Sequence, residues 1–247
     1  MAESAIDTLT IKLQSELSIS AYLAQPSIPG IYPGIVVLQE IFGVNAHIRE
    51  VAERLASSGY VAIAPALFER QAPNFETLYT QEAIKLGKTY AWERSKANEL
   101  KSDIQAAIDY LKTLPNIKQD GFGCIGFCFG GHVAYLAATL LDIKATASFY
   151  GTQITNATPG GGNPTITHTP EIPGTIYAFF GMEDASIPVE QVNQIEVELE
   201  KCNIPHRVFR YDGAEHGFFC DHRASYNSLA ANDAWEKVKQ LFAQQLS

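Results

Sequence analysis

Gly123-Cys124-Ile125-Gly126-Phe127-Cys128-Phe129-Gly130-Gly131-His132 runs without a break into the apolar segment Val133 to Leu141. A strand-like stretch stops at a residue bracketed by Gly126 and Gly130, and a helical pattern rich in alanine and leucine begins at once. This is the layout of a nucleophile elbow, a strained strand-to-helix turn that lifts a reactive side chain out of a sheet and aims the following backbone N–H groups at a substrate. Side chains two residues either side would collide across so sharp a turn, which is why glycine stands there. The central residue is Cys128, so the reactive form is a thiolate, and neighbouring charge controls how much of it exists.

Two plainer readings compete. A lone cysteine in an intracellular chain is most often a small buried hydrophobe, but the glycine bracket argues against that for Cys128. Gly121, Gly123 and Gly126 also match a dinucleotide fingerprint formally, with Asp142 as the ribose ligand. That fingerprint must follow a strand. Asn116 to Asp120 reads as polar and turn-like, with the apolar strand inside the glycines, so the nucleotide reading is set aside.

Outward from the elbow, strands and helices alternate. Thr8 to Leu13 and Leu17 to Ala24 suggest a hairpin around Gln14, Ser15 and Glu16. Gly34 to Glu40 is a continuous apolar strand of the kind buried on both faces, and its terminal Glu40 is expected at the carboxyl edge of the sheet, where open α/β folds bind ligands. Asn45 caps a helix to about Ser58, and Tyr60 to Ala64 is a second buried strand. Helical pattern runs from about Glu76 to Gly87 and again from Trp92 to Leu114. Strand Ala145 to Tyr150, strand Thr175 to Phe180, helix Val189 to Cys202, strand His206 to Tyr211 and a final helix from about Arg223 to Gln245 follow. The expected fold is a single α/β domain with a mostly parallel sheet and helices on both faces. Between Gly151 and Gly174 lies a long loop containing Gly160-Gly161-Gly162-Asn163-Pro164, expected near the site or at the surface.

Composition narrows the function class. With 18 Lys and Arg against 27 Asp and Glu, the net charge of −9 argues against nucleic-acid or anionic-membrane partners, which require clustered cations. The first residues carry no basic and apolar leader pattern, no apolar run reaches spanning length, and the four cysteines lack paired C-x-x-C spacing. A cytoplasmic protein with neither disulfides nor metal is expected.

A cysteine nucleophile on this scaffold needs an acid and then a histidine, each on a loop after a later strand. Asp184 follows the strand at 175–180 and His216 the strand at 206–211. Glu183 competes with Asp184, which could also be a turn residue, and Asp212 reads as a simple turn residue. Among the six histidines, only His216 lies where the chain order asks for one, whereas His47 and His132 read as solvated or packed. His216 would take the Cys128 proton and Asp184 would fix the imidazole tautomer. The N–H groups of Ile41 and Phe129 are the expected oxyanion donors. A triad of this kind needs no cofactor.

Gln39-Glu40-Ile41-Phe42-Gly43-Val44-Asn45, Arg70-Gln71-Ala72-Pro73, Gly126-Phe127-Cys128-Phe129-Gly130-Gly131, Asp184 and His216-Gly217-Phe218 together resemble the dienelactone hydrolase (carboxymethylenebutenolidase) family. The resemblance spans nearly the whole chain. It implies an α/β-hydrolase fold and opening of a small enol-lactone through an acyl thioester on Cys128. It also implies a role for Glu40, since the family's matching acid contacts the resting thiol and moves when substrate binds. The family's two carboxylate-holding arginines correspond here to Thr80 and Cys220, and an aromatic pair to Ile84 and Gly87. Arg70, Lys85, Lys88 and Arg223 are the available replacements, and Arg70 is the residue named for substrate binding. A neutral ester or lactone is the alternative substrate, and a non-catalytic binding or thiol-sensing protein the alternative class.

Overall fold

The structure, a computed structural model, describes residues 6–14 and 17–246. Ser15 and Glu16 of the expected hairpin turn lie outside the described residues. The strands are β1 (Ile6–Leu13), β2 (Ile19–Pro26), β3 (Tyr32–Leu38), β4 (Val61–Pro65), β5 (Ile117–Phe127), β6 (Ile143–Phe149), β7 (Thr175–Gly181) and β8 (His206–Tyr211). They form one eight-stranded sheet in the order β1-β2-β4-β3-β5-β6-β7-β8. β1 pairs antiparallel with β2 and β2 with β4, while every pairing from β4 to β8 is parallel. This is the α/β-hydrolase fold that the resemblance implies.

The reason the central strands show no alternation is visible in β3. Ile35 and Val37 pack in one core with α1 (Ala46–Ser57) and α6 (Ser228–Leu246), whereas Val36 and Leu38 pack in a second with α3 (Ala97–Thr113) and α4 (Phe129–Ala137). Successive side chains point to opposite faces of a strand, and helices cover both faces, so each position must be apolar. Among the described residues no helix is long and apolar enough to cross a membrane.

Three local readings are corrected. Ile117 to Asp120 is the start of β5 rather than a turn: Ile117 pairs with Tyr32, and the register shifts before Gly34 meets Phe122. Gly121, with φ +146°, sits between these two parts of the strand. Lys118, Gln119 and Asp120 are polar because they lie at the rim of the sheet, none of them buried. Second, α2 covers only Gln81–Lys88 and continues into a π-helical segment, Thr89–Arg94, before α3. Glu76 instead makes an antiparallel bridge with Gly43 and a bidentate ion pair with Arg49. Third, α6 begins at Ser228, not near Arg223. Tight turns bring the N–H of Arg223 to the Cys220 carbonyl and that of Tyr226 to the Arg223 carbonyl, and the Asn227 side chain then caps the Ala230 N–H.

Candidate active site

Cys128 sits between β5 and α4 with φ +55° and ψ −115°, a conformation that L-residues avoid unless their surroundings impose it. Its N–H donates to the Phe149 carbonyl at 3.0 Å, and its own carbonyl accepts from the His132 N–H at 3.1 Å. The glycine bracket is a packing requirement. A Cβ on Gly126 would lie 2.0 Å from the Gly130 carbonyl oxygen, and one on Gly130 would lie 2.3 Å from that of Leu38. The elbow can therefore close onto the end of β3 only with glycine at both places. Phe129 opens α4, where first-turn N–H groups have no carbonyl within the helix.

Asp184 and His216 come together from the loops after β7 and β8. Backbone bonds from Met182 N–H to the Tyr211 carbonyl and from Glu183 N–H to the Ala214 carbonyl, both 2.9 Å, tie these loops to each other. Asp184 Oδ2 then lies 2.7 Å from His216 Nδ1, while Oδ1 accepts from the Ser186 N–H at 2.8 Å. Glu183 is exposed and Asp184 buried, which decides between the two acids. Burial opposes the imidazolium form of His216. The Cys128 sulfur and the Asp184 carboxylate beside the ring outweigh it and push the His216 pKa up to about 10. The Tyr150 ring stands edge-on to that of His216 at 5.1 Å.

Glu40, just past the end of β3, is fully buried. Its Oε1 accepts from Arg223 Nη1 at 3.0 Å, and its Oε2 has no hydrogen-bond partner among the described residues. Glu40 therefore rests in an ion pair with Arg223. Arg223 reaches it by lying against Gly217, with its guanidinium 5.4 Å from the Tyr79 ring centroid. A cavity of about 370 Å³ opens over Cys128, with His216, Ile41, Trp92, Lys88 and Arg223 among its walls. Lys88 and Arg223 are its cationic side chains.

The sequence profile described as "Dienelactone hydrolase family" matches residues 19–246. The chain belongs to that family. A Synechocystis sp. protein named "Putative carboxymethylenebutenolidase" is 55% identical over 239 residues, covering 97% of each chain. A Bradyrhizobium sp. protein named "Probable 2-oxo-3-(5-oxofuran-2-ylidene)propanoate lactonase" is 29% identical over 236 residues, 95% of this chain and 92% of that one. Among solved structures, the "Putative Dienelactone Hydrolase" of Klebsiella pneumoniae superposes with a TM-score of 0.88 at 29% identity, covering 97% and 99% of the two chains. As a dienelactone hydrolase family member the protein is a hydrolase acting on ester or lactone bonds.

Several positions to which the resemblance pointed have other partners in this dienelactone hydrolase family member. Arg70 is corrected: its Nε and Nη2 engage the buried Asp103 at 3.1 and 2.6 Å, and it does not line the cavity. It anchors the loop after β4 to α3. Lys85 is exposed and also outside the cavity wall. Thr80 caps α2 by accepting from the Ala83 N–H, and buried Cys220 lies 3.2 Å from the Tyr79 hydroxyl. Ile84 lines the cavity, whereas Gly87 lets α2 press against the backbone of Ile41, where a Cβ would come within 2.1 Å of the carbonyl oxygen.

Trp92, Thr152, Gln153 and Ser186 also line the cavity, and sequence reasoning did not single them out. Trp92 belongs to the π-helical segment, an irregularity frequent at functional sites that helical periodicity cannot reveal. Gln153 has φ +64°, and a positive φ at a residue other than glycine leaves no mark in sequence. Among the described residues, Glu50, Asp221 and His222 have metal-ligand spacing, but all three are exposed and none borders the Cys128 cavity.

Proposed function

We propose that the protein opens a small carboxylated lactone through an acyl-enzyme on Cys128. The observation that carries this reading is the strained Cys128 at the elbow, sharing one cavity with a histidine that Asp184 holds at 2.7 Å. In the first half-reaction His216 takes the Cys128 proton and the thiolate attacks the lactone carbonyl carbon. The N–H groups of Phe129 and Ile41 stabilise the resulting oxyanion. Collapse breaks the ring C–O bond, leaves a thioester and gives the leaving oxygen the proton held by His216. Neutral His216 then deprotonates a water, which attacks the thioester and releases the carboxylate product and the Cys128 thiolate.

Lys88 and Arg223 on the cavity wall support a substrate that carries a carboxylate beside its lactone. The Bradyrhizobium relative's name describes such a molecule, a furanone ring bearing a propanoate. Glu40 competes with that carboxylate for Arg223, so substrate binding would exchange one carboxylate partner for another. A neutral ester is the second reading, favoured because Arg223 is already charge-compensated by Glu40 at 3.0 Å. A cytoplasmic location accompanies either reading and is supported by four free cysteines.

The test is steady-state hydrolysis of cis- and trans-dienelactone beside p-nitrophenyl acetate, for the parent and Cys128→Ala. Cys128-dependent turnover with kcat/KM higher for dienelactone supports the carboxylated substrate. Turnover of the neutral ester alone supports the second reading, and equal turnover by Cys128→Ala sinks the cysteine mechanism.

A further inference from the structure

His132 is a completely buried imidazole that the proposed mechanism does not use. It lies on α4, four residues after Cys128. Its Nδ1 is 2.8 Å from the Thr152 carbonyl oxygen and its Nε2 is 2.7 Å from Thr165 Oγ1, which in turn is 2.6 Å from Thr158 Oγ1. These contacts fix every proton. A carbonyl only accepts, so Nδ1 carries the hydrogen; a neutral ring then has Nε2 as acceptor, so the Thr165 hydroxyl must donate to it. Thr165 is left to accept from Thr158. The resulting chain has one polarity, Thr158 to Thr165 to His132 to Thr152. Burial favours this neutral ring, outweighing the Thr152 carbonyl and lowering the His132 pKa to about 4.

The chain ends on the segment that needs support. Thr152 and Gln153 line the cavity over Cys128, and the segment is bent by positive φ at Tyr150 (+35°) and Gln153 (+64°). Such backbone persists only when its surroundings over-determine it. The ring also stands edge-on to Trp92, another cavity wall, at 5.0 Å. Thr158 and Thr165 flank the Gly160–Pro164 stretch, so the excursion of chain after β6 delivers the two hydroxyls that lock the ring.

Resting on the reading of this cavity as the active site, we propose that His132 is a positioning residue for substrate specificity: as an Nδ1-protonated clamp on Thr152 it fixes the Tyr150–Gln153 segment, and thereby the width of the acyl-binding wall.

Three variants separate the contacts. His132→Asn keeps an amide donor near the Nδ1 position, His132→Phe keeps the ring volume and the Trp92 contact but neither hydrogen bond, and Thr165→Val removes only the donor to Nε2. In His132→Phe the KM for p-nitrophenyl hexanoate should rise about tenfold, with kcat for the acetate ester within about twofold of the parent, a loss confined to ground-state binding. His132→Asn should restore most of that KM, a rescue that a purely structural role would not produce. Equal KM changes in the Asn and Phe variants, or none in the Phe variant, overturn the proposal. Should His132→Phe fail to fold, Thr165→Val and long-range ¹H–¹⁵N spectra of the parent decide it. A neutral Nδ1–H tautomer at pH 7 and a higher hexanoate KM in Thr165→Val support the clamp, whereas an Nε2–H tautomer or an imidazolium overturns it. Failure of the parent to hydrolyse any ester would instead reject the hydrolase reading, and the tautomer then tests the clamp alone.

Discussion

Arg223 Nη1 donates to Glu40 Oε1 across 3.0 Å, joining a cavity wall to a carboxylate that has no exposure to solvent. Removing the cation leaves Glu40 buried and unpaired, and breaking a buried pair from one side costs about 3–5 kcal/mol. Arg223 retains 19% side-chain exposure, so screening puts Arg223→Gln near the lower end, about 3 kcal/mol. Urea denaturation should show that loss, and Glu40→Gln combined with Arg223→Gln should recover part of it. Full additivity of the two single changes would mean the pair is not coupled. Arg223→Gln should also raise KM for a carboxylated lactone about tenfold or more while leaving a neutral ester little affected.

The pH dependence of turnover follows from His216. With the imidazole pKa pushed up to about 10 by Cys128 and Asp184 against burial, the imidazolium that partners the thiolate survives through mildly alkaline solution. Activity should hold across pH 8 to 9 and fall as pH passes about 10. Asp184→Asn removes one of the two stabilising partners, so its alkaline limb should shift to lower pH. Identical limbs in parent and variant would exclude His216 as their source.

Gly87 offers a test of the oxyanion donors that leaves every polar side chain in place. Its α-carbon faces Ile41, and an added Cβ would fall 2.1 Å from the Ile41 carbonyl oxygen. Gly87→Ala must therefore push α2 or Ile41 aside. Losing one donor of this kind costs about a hundredfold in kcat, so a displaced but present donor should cost about tenfold or more, with KM changed less. A kcat equal to the parent's would show that α2 yields while Ile41 stays in place, or that the Ile41 N–H takes no part.

The fold was legible because its signals are local and redundant: glycines flanking the elbow, unbroken apolar strands, and an acid and a histidine on successive loops. Arg223 was harder to read because the helical pattern ran through it, and only three-dimensional turns, closed by the Asn227 cap, free it for the site. Arg70 misled for the converse reason. Its sequence position fits a binding arginine, but Asp103, in the second turn of α3, claims it at 2.6 Å. Pairings between distant side chains leave no periodicity, so the placing of Asp184 and His216 on adjoining loops was readable from chain order whereas the charges around the cavity were not. Gln39 belongs to the same class: its Oε1 accepts from the Leu67 N–H at 3.1 Å, splicing the end of β3 to the loop after β4.

Stability in acid should carry the signature of His132. Burial lowers its pKa in the folded protein to about 4, against about 6.5 for an unperturbed imidazole in the unfolded chain. The folded state therefore binds fewer protons, and its contribution is fully present above about pH 6.5 and lost as pH falls toward 4, on the order of 3 kcal/mol over that interval. His216 does not blur the window, because its raised pKa makes its own contribution vary above 6.5 instead. Carboxylates and His47 titrate similarly in parent and His132→Asn, so the difference between the two isolates this one ring. Unfolding free energy measured at pH 7.5 and pH 4.5 should fall more steeply for the parent than for the variant. Parallel declines would mean that His132 is protonated in the folded protein, and the proton assignment that ties Thr165 to Thr152 would have to be abandoned.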